Sequence, residues 1–286
     1  METFRTRTYE IHTKKLKSRH KVKFAFLTDL HGLVYGNNNQ HLYEEIMKRK
    51  PDAVLVTGDM IVCRKMETLQ AAAGLLVRLS EQIPVFYVLG NHEYKMSLNP
   101  EYRQQYLNYE YLLTRAGICF LHNEHISSDF HETDFVFHGL ELPMEYYHKP
   151  NSPALSLKTL EELLGTPTGS GIHILLAHNP KYGNTYLSWG ADLVLSGHYH
   201  GGILRFGENH GLTCPQYLLF PPYCCGRFHG GKSTMIVSAG LGEHTIPIRI
   251  HNPRELLMIE FCPAQKEKNI PLKQEGKQYN GNTGKD

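Results

Sequence analysis

Val22-Lys23-Phe24-Ala25-Phe26-Leu27-Thr28-Asp29-Leu30-His31-Gly32 opens as a run of apolar, β-prone residues and closes on two side chains that can hold a metal. A run this short, bounded by glycine, reads as a buried strand that delivers Asp29 and His31 at its carboxyl end. The same grammar recurs twice farther along the chain. Ala53-Val54-Leu55-Val56-Thr57 runs into Gly58-Asp59, and Val85-Phe86-Tyr87-Val88-Leu89 runs into Gly90-Asn91-His92-Glu93. Between these strands, His41 to Lys50 places Leu42, Ile46 and Met47 at helical spacing, and Pro51 stops it. Met66 to Gln82 reads as a second helix with an Ala-rich face, stopped by Pro84. Strand, helix, strand, helix, strand predicts a parallel sheet wrapped by helices, the α/β class.

Farther along, Asn99-Pro100 opens a helix that reaches about Ala116 and ends at Gly117. Ile118 to Leu121 and Phe135 to Gly139 read as strands, and Leu155 to Leu164 as a short helix. Ile172 to Ala177 is a strand that ends at His178-Asn179-Pro180, and a short helix from Lys181 to Trp189 follows. Asp192-Leu193-Val194-Leu195 then leads into Ser196-Gly197-His198-Tyr199-His200-Gly201-Gly202. Thr8 to His12, Thr234 to Ala239 and Leu256 to Phe261 complete the strands. Glu141 to Pro153 looks like an inserted loop. Leu204 to Lys232 reads as a long ordered loop, the kind that usually has a function. We expect one domain over residues 1–262 and a polar, disordered tail over 263–286.

Composition bounds the function. The net charge of +2 implies no field for polyanions, and no dense basic cluster sits beside the motifs, so nucleic acid is not an expected partner. The six cysteines show no C-x-x-C spacing, and Cys224 and Cys225 are adjacent, which suits reduced thiols in a cytosolic protein. Met1 to Lys23 is polar and basic without the apolar segment of a secretory signal. The expected location is therefore the cytoplasm, with Lys14, Lys15, Lys17, Arg19, Lys21 and Lys23 within reach of an anionic membrane surface or, more simply, part of a solvated strand and turn. No obligate protein partner is evident.

Five strand ends thus carry Asp29/His31, Asp59, Asn91/His92, His178 and His198/His200. Carboxyl ends of strands in α/β sheets are where sites form. His198 and His200, two residues apart, can aim both rings at one point, and Gly197, Gly201 and Gly202 let the backbone come close. Two carboxylates, an amide and several imidazoles without a thiolate suit divalent Mn, Fe or Zn. There are enough ligands for two ions that share one carboxylate. Taken singly, Asp29 and Asp59 also suit helix N-caps, and Asn91 suits a turn.

In this order, Asp29-x-His31, Gly58-Asp59, Gly90-Asn91-His92-Glu93, Ala177-His178 and Gly197-His198-x-His200 resemble the five signature blocks of the calcineurin-like metallophosphoesterases. The Ser196–Gly202 stretch, Phe220-Pro221 and Pro247-Ile248-Arg249 resemble a bacterial branch of phosphodiesterases and of enzymes that cleave the pyrophosphate of UDP-diacylglucosamine. The resemblance implies a two-sheet β-sandwich core flanked by helices and a dinuclear phosphohydrolase, acting on a phosphorylated small-molecule or lipid-linked substrate. Alternatives of the same fold are a phosphomonoesterase, a nuclease or a non-catalytic scaffold. It further implies that Asp29, His31 and His200 hold one ion, that Asn91, His178 and His198 hold the other, and that Asp59 bridges them. His92 would face the phosphate as a cationic acid or charge stabiliser. Arg249 is expected to anchor the C-terminal strand, with binding of phosphate as the alternative. Ile203 departs from the polar residue common after the glycine pair, and branch members often carry an export signal or membrane anchor that Met1 to Lys23 does not resemble.

Overall fold

The computed structural model describes residues 3–149, 151–243 and 247–264. In chain order, its first strands are β1 (Arg5–Thr13), β2 (Val22–Leu27), β3 (Ala53–Val56), β4 (Val85–Tyr87), β5 (Cys119–Phe120), β6 (His125–Phe130) and β7 (Thr133–Leu140). They are followed by β8 (Ile172–Ala177), β9 (Leu193–Ser196), β10 (Arg205–Phe206), β11 (His210–Gly211), β12 (Gly226–Gly230), β13 (Ser233–Val237) and β14 (Glu255–Pro263). The helices are α1 (Gln40–Lys48), α2 (Glu67–Ser80), α3 (Asn91–Leu98), α4 (Arg103–Arg115), α5 (Leu157–Leu164) and α6 (Gly183–Trp189).

Two six-stranded sheets form, in the orders β1-β14-β2-β3-β4-β5 and β12-β13-β9-β8-β7-β6. Strands β2 to β5 are parallel, as are β7, β8, β9 and β13. Strands buried on both faces read as unbroken apolar runs, which is why these were legible. The alternation still sorts their side chains. From β2, Phe24 and Phe26 point between the sheets, while Ala25 and Leu27 point to the helices. Between the sheets, Phe86 stacks on Phe137 at 4.3 Å, and Phe24 meets Phe135 edge-on at 5.1 Å. The outer face of the first sheet packs on Leu42 and Ile46 of α1, Leu75 and Leu76 of α2 and Leu113 of α4. The second sheet packs on Leu160 of α5 and on Tyr186 and Trp189 of α6. The result is an α/β two-sheet sandwich flanked by helices, as expected.

Several local expectations fail. The sheets are mixed, because β14 runs antiparallel to β2, and β6 and β12 run antiparallel at the edges of the second sheet. β6 was not expected: its residues are mostly exposed, so no apolar period marks it. The segment from Leu204 to Lys232 is not simply a loop, since it contains the β10–β11 hairpin and β12. Lys15 and Lys21 of the basic N-terminal segment pair with Asp192 and with Glu10 and Glu260, which fits a solvated strand and turn. Among the described residues, no helix is long and apolar enough to cross a membrane. Of the expected disordered tail, residues 265–286 lie outside the described residues.

Candidate metal centre

The parallel strands of both sheets release their loops at one edge of the sandwich. β2 leads to Asp29 and His31, β3 to Asp59, β4 to Asn91, β8 to His178, and β9 to His198 and His200. Backbone bonds tie these loops together: Asp29 N donates to Gly58 O (2.9 Å), His31 N to Asp59 O (3.0 Å) and Gly197 N to His178 O (3.0 Å). Asp29, His31, Asp59, His198 and His200 all have left-handed backbones, with φ between 49° and 66°. That region is sparsely used by residues other than glycine, and such strain is found where a fold fixes functional side chains. Two glycines permit the close approach. A Cβ on Gly90 would stand 2.2 Å from Asp59 Oδ1, and one on Gly197 would stand 2.2 Å from Asp29 Oδ2.

Six of the seven expected ligands form two clusters of metal-capable atoms, Asp29, His31 and His200 in one and Asp59, His178 and His198 in the other; His92 shares a further cluster with His31 and Asp59, and Asn91 lines the same cavity. Asp59 Oδ2 lies 3.2 Å from His178 Nε2 and 3.7 Å from His31 Nε2, between the two clusters. Asn91 Oδ1, His31 Nε2 and His178 Nε2 are buried without a hydrogen-bond partner. Buried polar atoms are rarely left so, and an ion would satisfy them. His178 Nδ1 donates to Thr57 O (2.6 Å), which turns the Nε2 lone pair inward. Asp29 is held by His198 N (2.9 Å) and by the Thr28 hydroxyl (2.9 Å).

The electrostatics fit cations. Burial works against ionising Asp29 and Asp59, yet the neighbouring imidazoles, His200 first for Asp29 and His178 for Asp59, hold both carboxyls below their usual range. Burial likewise opposes charge on His178, but Asp59 and Asp29 lift it to about 9. The same negative potential that would keep a proton on this imidazole would hold a divalent cation. The donor set and the unsatisfied atoms therefore suit two such ions.

His92 lines the cavity beside the two clusters but is not as expected. Burial pushes it down to about 4, with Asp59 opposing and His31 and His178 adding to the effect, so the ring is neutral. Cys63 N donates to His92 Nδ1 (3.1 Å), so the ring proton sits on Nε2. His92 is thus a neutral N–H donor instead of a cation.

Glu93 was named with its motif but given no role. Its buried carboxylate accepts from Asp59 N (2.8 Å), Met60 N (2.7 Å) and the Tyr87 hydroxyl (2.9 Å), and so sets the loop that carries Asp59. No local pattern announces this, because the two backbone bonds span more than thirty residues. α3, also unexpected, begins at Asn91 itself. The cavity over the site, about 730 Å³, is lined also by Lys65, Lys95, Lys149 and Tyr147. The three lysines lie on separate segments, so the sequence showed no cluster where the fold makes one. Arg249 donates to Ala239 O (2.9 Å) and Gly242 O (2.6 Å) in the loop after β13 and to His200 O (3.3 Å), so it braces the ligand loops and not the C-terminal strand expected of it. His229 is exposed and bonds Thr234, and His244 lies outside the described residues. Cys224 and Cys225 are buried free thiols.

Comparison with known proteins supports the reading. The profile of the Calcineurin-like phosphoesterase family matches residues 22–202. An uncharacterized metallophosphoesterase of Aquifex aeolicus is 30% identical over 263 residues, covering 91% of this chain and 93% of that one. The YpbG protein of Bacillus subtilis is 26% identical, covering 90% and 87%. A bovine transmembrane protein with a metallophosphoesterase domain is 26% identical over 90% of this chain and 57% of its own. Among solved structures, the sulfate thiohydrolase SoxB of Thermus thermophilus aligns with a TM-score of 0.50 at 15% identity, over 78% of this chain and 52% of that one, a likeness of fold. By fold, family profile and full-length similarity, this chain belongs to the calcineurin-like metallophosphoesterases, a family of dinuclear metal-dependent hydrolases.

Proposed function

We propose that this chain hydrolyses phosphodiester or pyrophosphate bonds at two divalent ions, Mn, Fe or Zn. Asp29, His31 and His200 hold one ion, Asn91, His178 and His198 hold the other, and Asp59 is shared. The observation that carries the proposal is the place of Asp59 Oδ2, 3.2 Å from His178 Nε2 and 3.7 Å from His31 Nε2. When bound, such a pair supplies a Lewis acid and a water that is deprotonated near neutral pH.

The residues of the chain do the rest. Thr57 O and the backbone N–H of His198 keep His178 and Asp29 oriented before any ion arrives. His92, through Nε2–H, donates a hydrogen bond to a phosphoryl oxygen and so stabilises the charge that gathers there. Lys65, Lys95 and Lys149 draw the anionic ester into the cavity. The room above the site accommodates groups on both sides of a phosphate, which supports diesters and pyrophosphates over monoesters. All six cysteines are free, which suits the cytoplasm.

The test is elemental analysis with a substrate panel. Protein prepared with Mn or Zn should carry two ions per chain and cleave diesters faster than monoesters. Asp59→Asn should lower the occupancy of both ions, and loss of one ion alone would remove Asp59 from its shared role. Faster cleavage of monoesters would replace the diester reading, and two ions without cleavage would indicate a scaffold.

A further inference from the structure

The first and last strands carry a second set of donors, at the far end of the sandwich from the metal centre. Glu10 and His12 stand on β1 and Cys262 on β14. The parallel register sets His12 beside Cys262 and Glu10 beside Glu260. Phe261 pairs with Val22, the first residue of β2, whereas Asp29 follows the last. Alternation sends Tyr9, Ile11 and Phe261 between the sheets, so Glu10, His12 and Cys262 share the opposite face.

One ligand atom from each of Glu10, His12 and Cys262 lies within 4.8 Å of the other two. An ion bonded to all three at about 2.0–2.3 Å needs them slightly closer. Glu10 and His12 are free to close in, with 48% and 42% of their side chains exposed. Each of these two is also turned by a bond on its other atom. Glu10 Oε1 accepts from Lys21 Nζ (2.6 Å), which leaves Oε2 facing His12 Nε2 at 3.7 Å. His12 Nδ1 lies 3.4 Å from Pro263 O, and donation to that carbonyl leaves the Nε2 lone pair free. Supporting bonds of this kind orient the ligands of metal sites. Lys21 Nζ donates to Glu260 Oε2 as well (2.8 Å), so it is held to one side of the three donors. Surface ion pairing accounts for Lys21 and the two glutamates. It does not involve the Cys262 thiol, which is buried beside them.

We propose that Glu10, His12 and Cys262 form a second metal site, separate from the dinuclear centre, that takes one zinc ion with water as its fourth ligand. The thiolate sets its preference. A Cys, His and carboxylate set favours Zn over Mn, whereas the dinuclear centre has no thiolate. The ion ties β1 to β14, and so the start of the fold to its end. Burial raises the Cys262 thiol above its usual range, with Lys21 opposing, and the ion displaces its proton, so affinity rises with pH.

The experiment titrates cobalt(II), a spectroscopic stand-in for zinc, into metal-free full-length protein and reads the thiolate-to-cobalt charge-transfer band in the near ultraviolet. Cobalt in the dinuclear centre is silent in this band. The band should appear in the wild type, persist in Asp59→Asn and disappear in Cys262→Ser. His12→Gln and Glu10→Gln should each weaken cobalt binding at this site by at least about tenfold. Zinc should abolish the band at stoichiometric amounts and Mn should not. Circular dichroism confirms each fold, and the exposed His12 and Glu10 variants decide the matter if Cys262→Ser does not fold. The proposal is overturned by a wild type without the band, by a band that survives Cys262→Ser or is lost in Asp59→Asn, or by unchanged affinity in both His12→Gln and Glu10→Gln. A band seen only in large molar excess would mark an adventitious ion only and overturn it equally. Zinc should also raise the urea midpoint of the wild type more than that of His12→Gln, and equal shifts would refute the tie between the strands.

Discussion

Replacing Glu93 by Gln separates the stability of this fold from the precision of its metal centre. Glu93 Oε1 accepts from Met60 N and the Tyr87 hydroxyl, and Oε2 accepts from Asp59 N. A glutamine keeps the first pair if its carbonyl takes the place of Oε1. Its amide then faces the N–H of Asp59, donor against donor. Leaving that buried N–H without an acceptor costs about 1–3 kcal/mol. A second effect opposes it. Burial, with the nearby Asp59 charge adding, pushes Glu93 up to about 7, so above that pH the protein carries an ionised form that its surroundings disfavour, and glutamine removes it. The two effects are of similar size, and the Tm of the chelated protein should move by no more than about 4 °C. Metal affinity should not be spared. Asp59 loses the bond that fixes its backbone, and supporting partners of metal ligands are worth about 10–100-fold in affinity. Calorimetric titration of Mn into chelated wild-type and variant protein reads both quantities. An unchanged Kd would show that Glu93 does not position Asp59. A fall in Tm of more than about 10 °C would show that the two effects do not offset each other.

Three further outcomes follow from the same geometry. His92→Ala should keep both ions and lower kcat by about 10²–10³ to a similar extent on an alkyl ester and on an activated aryl ester; metal analysis with kinetics on both esters checks this, a much smaller loss on the aryl ester would make His92 a proton donor, and a lost ion would make it a ligand. His138, buried 2.9 Å from His173, is driven by burial down to about 3, with His173 and His125 adding to the effect. The unfolded ring takes up its proton near 6.5 and the folded ring does not, so this stability is complete above that pH and is lost as pH falls toward 3; urea unfolding of His138→Phe should lose up to about 1.4 kcal/mol per pH unit of acid slope, and an unchanged slope refutes the account. Phe137→Ala, which removes the ring stacked on Phe86, should cost about 3–5 kcal/mol in the same assay.

What the sequence revealed depended on how local each signal was. Strands such as Ala53–Val56 and Ile172–Ala177 are buried on both faces, so they announce themselves as unbroken apolar runs. The candidate ligands stand directly after those runs, at the one place where a doubly wound sheet builds sites. β6 hides because its His125-Ile126-Ser127-Ser128-Asp129-Phe130 is an exposed edge with no periodic apolar face. α3 hides because Asn91 and His92 read as loop chemistry and no side chain caps the helix at Gly90. The neutral state of His92 and the grip of Glu93 on Asp59 arise from burial and from contacts across the chain, which no window of sequence contains. The lysines of the cavity are scattered for the same reason.

The order of the first sheet has a consequence for how the chain is made. β14, the last strand, lies between β1 and β2, the first two. A ribosome that has produced the first hundred residues has made Asp29, His31, Asp59 and Asn91, but the edge of β2 still waits for a partner more than two hundred residues away. The three remaining histidines arrive later, and the loop before β14 then clamps the first ligand loop, with Leu241 N on Thr28 O and Gly242 N on Asp29 O. Such distant pairing slows folding. A nascent chain therefore exposes half a metal site and an unpaired apolar strand until Glu255–Pro263 leaves the exit tunnel. A stop placed just before Glu255 should yield not a protein with a weakened site but one prone to aggregate through the bare edge of β2.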